Sequence, residues 1–551
     1  MIARLNAAAA ALSAAMLLAS PLTPAVQAQP WRSALYPADW KPGFTDGQGR
    51  FLHDFSYAGY HRGEIEIPRR EGEVIDVTAA PYSADPTGKT DATAAIQAAL
   101  DAAAAKGGGI VFLPAGTYSI TPPEGKDVAL RVEGDNLVLR GAGVDKTFLV
   151  NQSYVMRNKT VISVKAANAA WWVGEAKGGN FTKASSDIPG GSKVIPLEDV
   201  TKLKVGDAIV LRNEPTEEFI AELGMTGKWS AKNLKNRALV FLRRVTAIHE
   251  VAKTIAIDVP TRYDLKTRDN AMIVKMGGKL ITETGLEDFS LGMKEHPGEG
   301  WGEDDQGVEG TAAYDVHQSH AIVFESAENC WMRRVNSFAP EGNAPSVHIL
   351  SNGVKFGRSR NITFTECDWR HAQYKGGGGN GYLYTFHGND CLIRDSRAEA
   401  GRHNFDFGFM SSTGNVIHNC YSKDGRLGSD FHMLFSVANL FDNVTCDGDF
   451  LEARYRPFGG SPVHGVTTSQ TVFWNTKGER YTASPFEFNG KMHDRPQVLI
   501  WSEQFGNGYV IGTRGPANKV KSSNFVEGAG KGDTLEPASL YADQLKRRLG
   551  K

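Results

Sequence analysis

From Val74 onward the chain changes its hydrophobic period in a fixed order. A short apolar run, Val74-Ile75, precedes a polar loop at Asp85-Pro86-Thr87-Gly88. Apolar residues then return at Ile96, Leu100 and Ala103, the i, i+4, i+7 spacing of one helical face. Thr90 and Asp91 are the N-cap candidates of this helix, and Gly107 after Lys106 is its stop. Gly107-Gly108-Gly109 leads into the strand-like run Ile110-Val111-Phe112-Leu113, which Pro114-Ala115-Gly116 turns. Leu137 to Gly143 reads as a further short strand and its turn. In residues 180–275 the runs Val194 to Leu197, Leu203 to Leu211 and Thr254 to Ile257 read as antiparallel strands, with a polar loop around Glu214 to Lys235.

Past Leu280 the pattern repeats. Ile322 to Arg333 aligns with Leu383 to Arg394, and His432 to Asn443 aligns with His464 to Asn475. Asn329, Asn361, Asn389, Asn415 and Asn439 recur every 24 to 32 residues, each between two strand-like runs. That spacing suits one coil of a solenoid, with Asn capping turn backbone and tolerating the left-handed conformation. One coil cannot bury its apolar face alone, so coils must stack. Ala538 to Leu549 reads as an amphipathic helix, expected to close the open end against edge pairing.

Asp85, Gly88, Thr90-Asp91, Thr93, Ala95-Ile96-Gln97, Gly107-Gly108-Gly109 and Pro114-Ala115-Gly116-Thr117-Tyr118 together resemble the N-terminal cap and first coil of the pectate-lyase-like superfamily. The resemblance implies an all-β fold: a right-handed, single-stranded parallel β-helix with an inserted small β-domain and helical caps at both ends. It also implies a polysaccharide or oligosaccharide as substrate. It does not choose a reaction, because the superfamily hosts lyases, hydrolases, epimerases and phage tailspikes. The expected organisation is a signal peptide over 1–28 and an arm over 29–73 that packs on the N-terminal end of the solenoid. The β-helix start follows over 74–179, the β-rich insertion over 180–275, the main β-helix over 276–525 and the closing helix over 526–551.

Arg4, the apolar run Ala7 to Leu18 and Val26-Gln27-Ala28 have the charge, length and small-residue cleavage pattern of a secretory signal, which predicts a periplasmic or secreted protein. No later segment is apolar enough to span a bilayer. The formal net charge is −1, so no global basic field argues for nucleic acid. The chain is expected to act as a monomer. Cys330, Cys367, Cys391, Cys420 and Cys446 are odd in number and follow no zinc spacing; buried small hydrophobes within successive coils is the preferred reading.

Nine of the fourteen histidines lie between His317 and His464. By the repeat alignment His432 and His464 fall at one position of adjacent coils. Asp430 lies two residues before His432, with Asp406 at the corresponding place one coil earlier. Residues two apart on a strand share a face, so Asp406, Asp430, His432 and His464 should cluster. Arg402-His403 and Arg454-Tyr455-Arg456 should overhang them. A lyase needs a base for the proton α to a uronate carboxyl, cations for that carboxylate and an acid for the leaving oxygen. His432 or His464 tuned by Asp430, Arg454 or Arg456, and Tyr455 supply these types, and His403 and Asp406 complete the catalytic set. Arg402, Arg456, His371, Tyr374 and Lys375 are the substrate-binding candidates, the last three on a loop carried by Gly376 to Gly379.

A glycoside hydrolase needs paired carboxyl groups instead, for which Asp406, Asp430, Asp447, Asp449 and Glu452 are available. The balance of His, Arg and Tyr favours the lyase. Tyr314-Asp315-Val316-His317 loosely resembles the Tyr/Asp/His cluster of alginate epimerases on this fold, with Val316 in place of its Pro. No cofactor or structural metal is indicated. Calcium stays open for the acidic stretch Glu299, Glu303, Asp304, Asp305 and Glu309, although a solvated loop is the preferred reading because EF-hand spacing is absent.

Overall fold

The computed structural model describes residues 29–551 apart from 170–175, 177–178, 236, 458–463 and 489. The segment 1–28, read as a secretory signal, lies outside the described residues. Two systems of parallel strands wind the chain into a parallel β-helix. One sheet places ten strands in a single row: Val128–Val132, Thr160–Val164, His320–Glu325, Asn352–Arg360, Tyr382–Asn389, His403–Gly408, Ser429–Met433, Leu451–Ala453, Ile500–Ser502 and Val520–Ser522. It is called the groove sheet below. The strands that turn back behind it form the second system, for example Trp331–Ser337, Thr363–Thr365, Leu392–Arg394, Val416–His418 and Leu440–Asp442.

The register of the groove sheet is set by an inward column of phenylalanines. Phe324 pairs with Phe356, Phe356 with Phe386, Phe386 with Phe407, and Phe407 with Phe431. Their rings follow one another at 4.9, 4.5 and 4.7 Å from Phe356 to Phe431, and all are fully buried. Tyr384 stacks on Phe405 in the same way at 5.3 Å. A slip of one residue would expel this column, so the register is strongly specified. The five cysteines are free and buried in this core.

The helix expected at the start covers Thr93–Ala105 and buries Ile96, Leu100 and Ala103 over the first coils. It begins later than Thr90-Asp91 suggest, because Thr87–Asp91 forms a strand paired with Gly116–Ile120. Asp91 nevertheless accepts from the Thr93 amide at 2.8 Å.

The recurring asparagines occupy three neighbouring columns rather than one. Asn329 and Asn361 are left-handed; in the later coils Asp390, Gly414 and Ala438 take that position. Asn415 and Asn439 sit one residue further on and bond to each other along the stack. Asn389 sits one residue earlier and bonds to Thr413 and to the insertion.

Within 181–275 the structure holds a six-stranded antiparallel sheet. Its core continues into Met410, Leu434, Phe435, Val437 and Val466 of the β-helix, so it stands as a wall along one edge of the groove sheet.

The arm and the C-terminal helix Leu540–Leu549 differ from expectation. Leu392, Val416, Leu440, Val472 and Tyr509 form an apolar outward column on the back of the β-helix. Leu35, Tyr36, Phe55 and Leu540 cover it together. Arm and helix therefore run along the flank instead of closing the ends. Asp442 and the Ser539 hydroxyl cap the helix start.

The central ring of the inward column has the least freedom to relax. Phe407→Ala is expected to cost about 3–5 kcal/mol, the range for truncating a buried aromatic. The shift of the urea unfolding midpoint checks this; a loss below about 1 kcal/mol would show that the column does not set the register.

Candidate active site

Because the phenylalanines point inward, the residues between them point out and align from coil to coil. Lys355 pairs with Thr385, Thr385 with Asp406, Asp406 with Asp430, and Asp430 with Glu452. Trp501 and Lys521 continue the row. Its middle forms the floor of a cavity of about 690 Å³. Lys355, Tyr382, Asp406, His432 and His464 line it, with Glu303 and Phe488 on the rim.

Where His403–Gly408 meets Ser429–Met433, Asp406 pairs with Asp430 and Phe407 with Phe431, but Gly408 pairs with Met433. His432 is therefore the extra residue of a β-bulge, a device that re-aims a side chain. Its Nδ1 lies 3.1 Å from Asp430 Oδ2 and its Nε2 3.3 Å from the Tyr382 hydroxyl. With Nδ1–H donating to the carboxylate, Nε2 is left as acceptor for the phenol. Tyr382, at the start of its strand, was not singled out in the sequence.

Asp430 is fully buried and surrounded by cations and imidazoles. Arg456 Nη2 lies 2.8 Å from its Oδ2 and His403 Nδ1 lies 3.3 Å from its Oδ1. Burial would raise its pKa, but His403, Arg456 and His432 hold it below the ordinary carboxylate range. Asp406 goes the other way: burial and then the neighbouring Asp430 charge push it well above that range. The pair thus shares its ionisation unevenly, with the proton on Asp406 and the charge on Asp430. Burial also raises Glu452, opposed by its ion pair with Arg456. Burial raises Tyr382 well above the phenol range, with Asp406 and Asp430 adding to it, so Tyr382 holds its proton firmly.

The expected cluster of Asp406, Asp430, His432 and His464 is brought together. His464 faces His432 with ring centroids 5.3 Å apart. The strand partner of Asp430 is however Glu452, and His464 comes from the return loop, where Ser436 pairs with Thr468. That loop rests on the insertion: Trp229 Nε1 donates to the His464 carbonyl at 3.1 Å.

Other expectations are corrected. His403 is buried behind the floor, donates from Nδ1 to the Gly428 carbonyl at 2.6 Å, and burial pushes it down to about 3; it positions Asp430 and does not face the cavity. Arg456 is committed to Asp430 and Glu452, so it is no clamp for a substrate carboxylate. Arg454 lies over the Trp501 ring at 3.8 Å, and Tyr455 is 41% exposed, away from the cavity lining. Arg402 lines the cavity, but its guanidinium is held by Glu303 and the Lys375 carbonyl.

His371 packs edge-on against His348, and the buried Tyr374 bonds to the Glu303 carbonyl and Gln306. Lys375 donates to the Ala400 carbonyl. These three brace loops and do not line the groove. Gly377 to Gly379 do line it. Glu299, Asp304 and Glu309 of the acidic stretch are exposed, as a solvated loop would be, whereas the Glu303 side chain is 8% exposed and pairs with Arg402 and Arg426. Asp315 lies 3.2 Å from His296, and His317 bonds to Asn380 behind the glycine loop. Of the spare carboxylates, Asp447 pairs with Arg480 at the surface and Asp449 is buried under Ser422 and Ser429.

His403, Asp430 and His432 bring potential metal-ligand atoms within 4.8 Å of one another. Both Nδ1 atoms are engaged by Gly428 or Asp430, and the Arg456 guanidinium already compensates that carboxylate. The arrangement suits a proton relay better than a cation.

A family model described as rhamnogalacturonase A/epimerase, pectate lyase-like, matches residues 77–188. Residues 77–188 are thus pectate-lyase-like, within a chain whose strands form a parallel β-helix. A second model, for a domain of unknown function, matches residues 401–551 and so takes in Asp406, Asp430 and His432. Mannuronan C5-epimerase AlgE3 of Azotobacter vinelandii is 43% identical over 76 residues, which is 14% of this chain and 4% of that protein. Alginate lyase 7 of the same organism is 45% identical over 69 residues, 12% of this chain and 8% of that one. The matched segment thus spans less than a tenth of either relative. Among solved structures, the tailspike gp49 of Pseudomonas phage LKA1 aligns over 82% of this chain and 78% of its own at a TM-score of 0.40 and 11% identity. The A-module of Azotobacter vinelandii mannuronan C-5 epimerase AlgE6 aligns over 82% and 97% at a TM-score of 0.31 and 10% identity. Among the described residues no helix is long and apolar enough to cross a membrane.

The buried histidines give a pH dependence of stability. Burial lowers His53 and His403 to about 3, so the folded chain keeps them neutral where the unfolded chain, near 6.5, takes up protons. The unfolded state binds more protons below pH 6.5, so stability falls as the solution is acidified. From pH 7 to 5 the loss is on the order of 2 kcal/mol for each histidine. Asp449, raised by burial to about 6, opposes this, because the folded state keeps a proton there that the unfolded state has lost. A urea midpoint that does not fall between pH 7 and 5 would show that these imidazoles are not held neutral.

Proposed function

We propose that this protein is an exported polysaccharide lyase that cleaves a uronic-acid-containing glycan by β-elimination. The observation that carries the reading is the line Asp430, His432, Tyr382, which sets a base and an acid side by side on the cavity floor. His432 Nε2 takes the proton α to the uronate carboxyl group. The electron pair passes into that group and then expels the glycosidic oxygen, so the carbon–oxygen bond breaks as a carbon–carbon double bond forms. Tyr382 gives its phenol proton to the departing oxygen and recovers one from His432 across their 3.3 Å contact. Both groups return to their starting state and no water is consumed. Asp406, in its neutral form, donates a hydrogen bond to the carboxyl group as charge builds there.

The pectate-lyase-like match at 77–188 supports a carbohydrate substrate. The Val26-Gln27-Ala28 pattern supports export to the periplasm or medium. A glycoside hydrolase is the second reading, favoured by the protonated carboxyl of Asp406. Its second carboxyl could not be Asp430 or Glu452, which lie in the same row and both engage Arg456.

Incubation with a panel of uronic-acid and neutral polysaccharides tests this. The expected outcome is ultraviolet absorbance from unsaturated uronyl ends on an acidic glycan. His432→Ala and Tyr382→Phe should each slow its appearance by about a hundredfold or more, the usual worth of a general acid or base. New reducing ends without the absorbance would overturn elimination and make Asp406 the acid of a hydrolase. His432→Ala turning over at the wild-type rate would overturn the site.

A further inference from the structure

The cavity has two chemically different ends. Asp406, His432 and His464 line one, with Asp430 and Glu452 following Asp406 along the buried row. The other is floored by Lys355, with His320 and His387 beside it and the short Thr385 between Lys355 and Asp406. Arg402 is the other lysine or arginine on the lining, and Glu303 holds it. Lys355 makes no hydrogen bond or ion pair among the described residues. The nearest acidic group on its strand pair, Glu325, is taken by Arg358. His320 Nδ1 bonds to the Gln318 carbonyl at 2.9 Å, and His387 packs edge-on to Phe409 at 4.6 Å. A half-buried ammonium with no paired counter-charge is costly unless a ligand supplies one.

We propose that Lys355, flanked by His320 and His387, anchors the carboxylate of a second acidic sugar, the neighbour of the unit that loses its proton. This rests on the reading of the groove as a uronate-binding site. Three strand spacings, ~14 Å along the helix axis, separate the strand of Lys355 from that of His432. A lysine side chain is long enough to close part of that gap, which leaves a distance that suits an adjacent unit rather than the reacting one. The protein therefore selects runs of acidic sugars over isolated ones, and Lys355 is a specificity residue rather than a catalytic one.

The test is calorimetric binding of a uronate trisaccharide and of its carboxyl-reduced counterpart to full-length protein carrying His432→Ala, which slows turnover. The acidic ligand should bind about tenfold tighter or more, the worth of one charge-assisted contact. Adding Lys355→Met should remove that preference and leave the reduced ligand unaffected, and Lys355→Arg should retain most of it. Equal binding of both ligands before Lys355 is touched overturns the proposal, whether or not the methionine variant folds. So does a methionine variant that weakens both ligands alike. Uronate-selective, Lys355-dependent binding, together with no unsaturated product from the protein that keeps His432, would overturn elimination and keep the anchor.

Discussion

Everything at the site depends on one constraint: the coils stack in register because the phenylalanines between Phe324 and Phe431 stack in register. A parallel strand offers only two faces, so fixing the inward column fixes the outward one. Asp406 lies between Phe405 and Phe407, and Asp430 directly precedes Phe431. The same packing that stabilises the core delivers a lysine, a threonine and three carboxylates from separate coils to one line. The geometry of the candidate site is a by-product of core geometry, with one local exception. The bulge at His432 breaks the ladder just where an imidazole has to reach Tyr382 two strands away.

Lining up carboxylates one strand apart would be self-defeating without compensation, since like charges at that spacing cannot all ionise. Arg456 resolves this by bridging Asp430 and Glu452 from within the wall, and His403 supports Asp430 from behind. The proton then settles on Asp406, the member of the row that faces the cavity. Buried ion pairs contribute little net stability but cost several kcal/mol when half-broken. The arrangement is thus best understood as fixing which carboxyl group is neutral.

How much of this the sequence reveals follows from where period exists. The first coil was legible because a helix, a glycine turn and a strand follow in a non-repeating order. Asp406 and Asp430 were legible because the coil repeat places them at corresponding positions one coil apart. Loops carry no period, and there the reading failed. Arg456 was taken for a substrate clamp and is an internal counter-ion. Tyr374 and Lys375 were taken for substrate-binding residues, yet Tyr374 braces the acidic stretch and Lys375 donates to the Ala400 carbonyl. Tyr382 and Lys355 went unnoticed for a different reason. Neither recurs at the paired position of the next coil, and only the pairing of Lys355 through Thr385 to Asp406 shows that it belongs to the site. The recurring asparagines mislead in the same way: their spacing is right to within a residue, and one residue is enough to change column.

The division of labour along the chain bears on how such a protein changes its substrate. The segment matched as pectate-lyase-like, 77–188, starts the coil, while Asp406, Asp430 and His432 lie within 401–551, which matches a domain of unknown function. The insertion contributes no group to the floor, yet Met225 and Trp229 hold the loop that carries His464, and its core runs into Leu434 and Phe435 just past the bulge. Opposite, Tyr374 and Arg426 tie down the stretch around Glu303. Floor and walls therefore depend on different packing: the floor on the phenylalanine column, the walls on loop-to-loop contacts outside the coil. Loop changes can reshape the walls without disturbing the register that aligns Asp406 with Asp430. A change in the column would move every group on the floor at once.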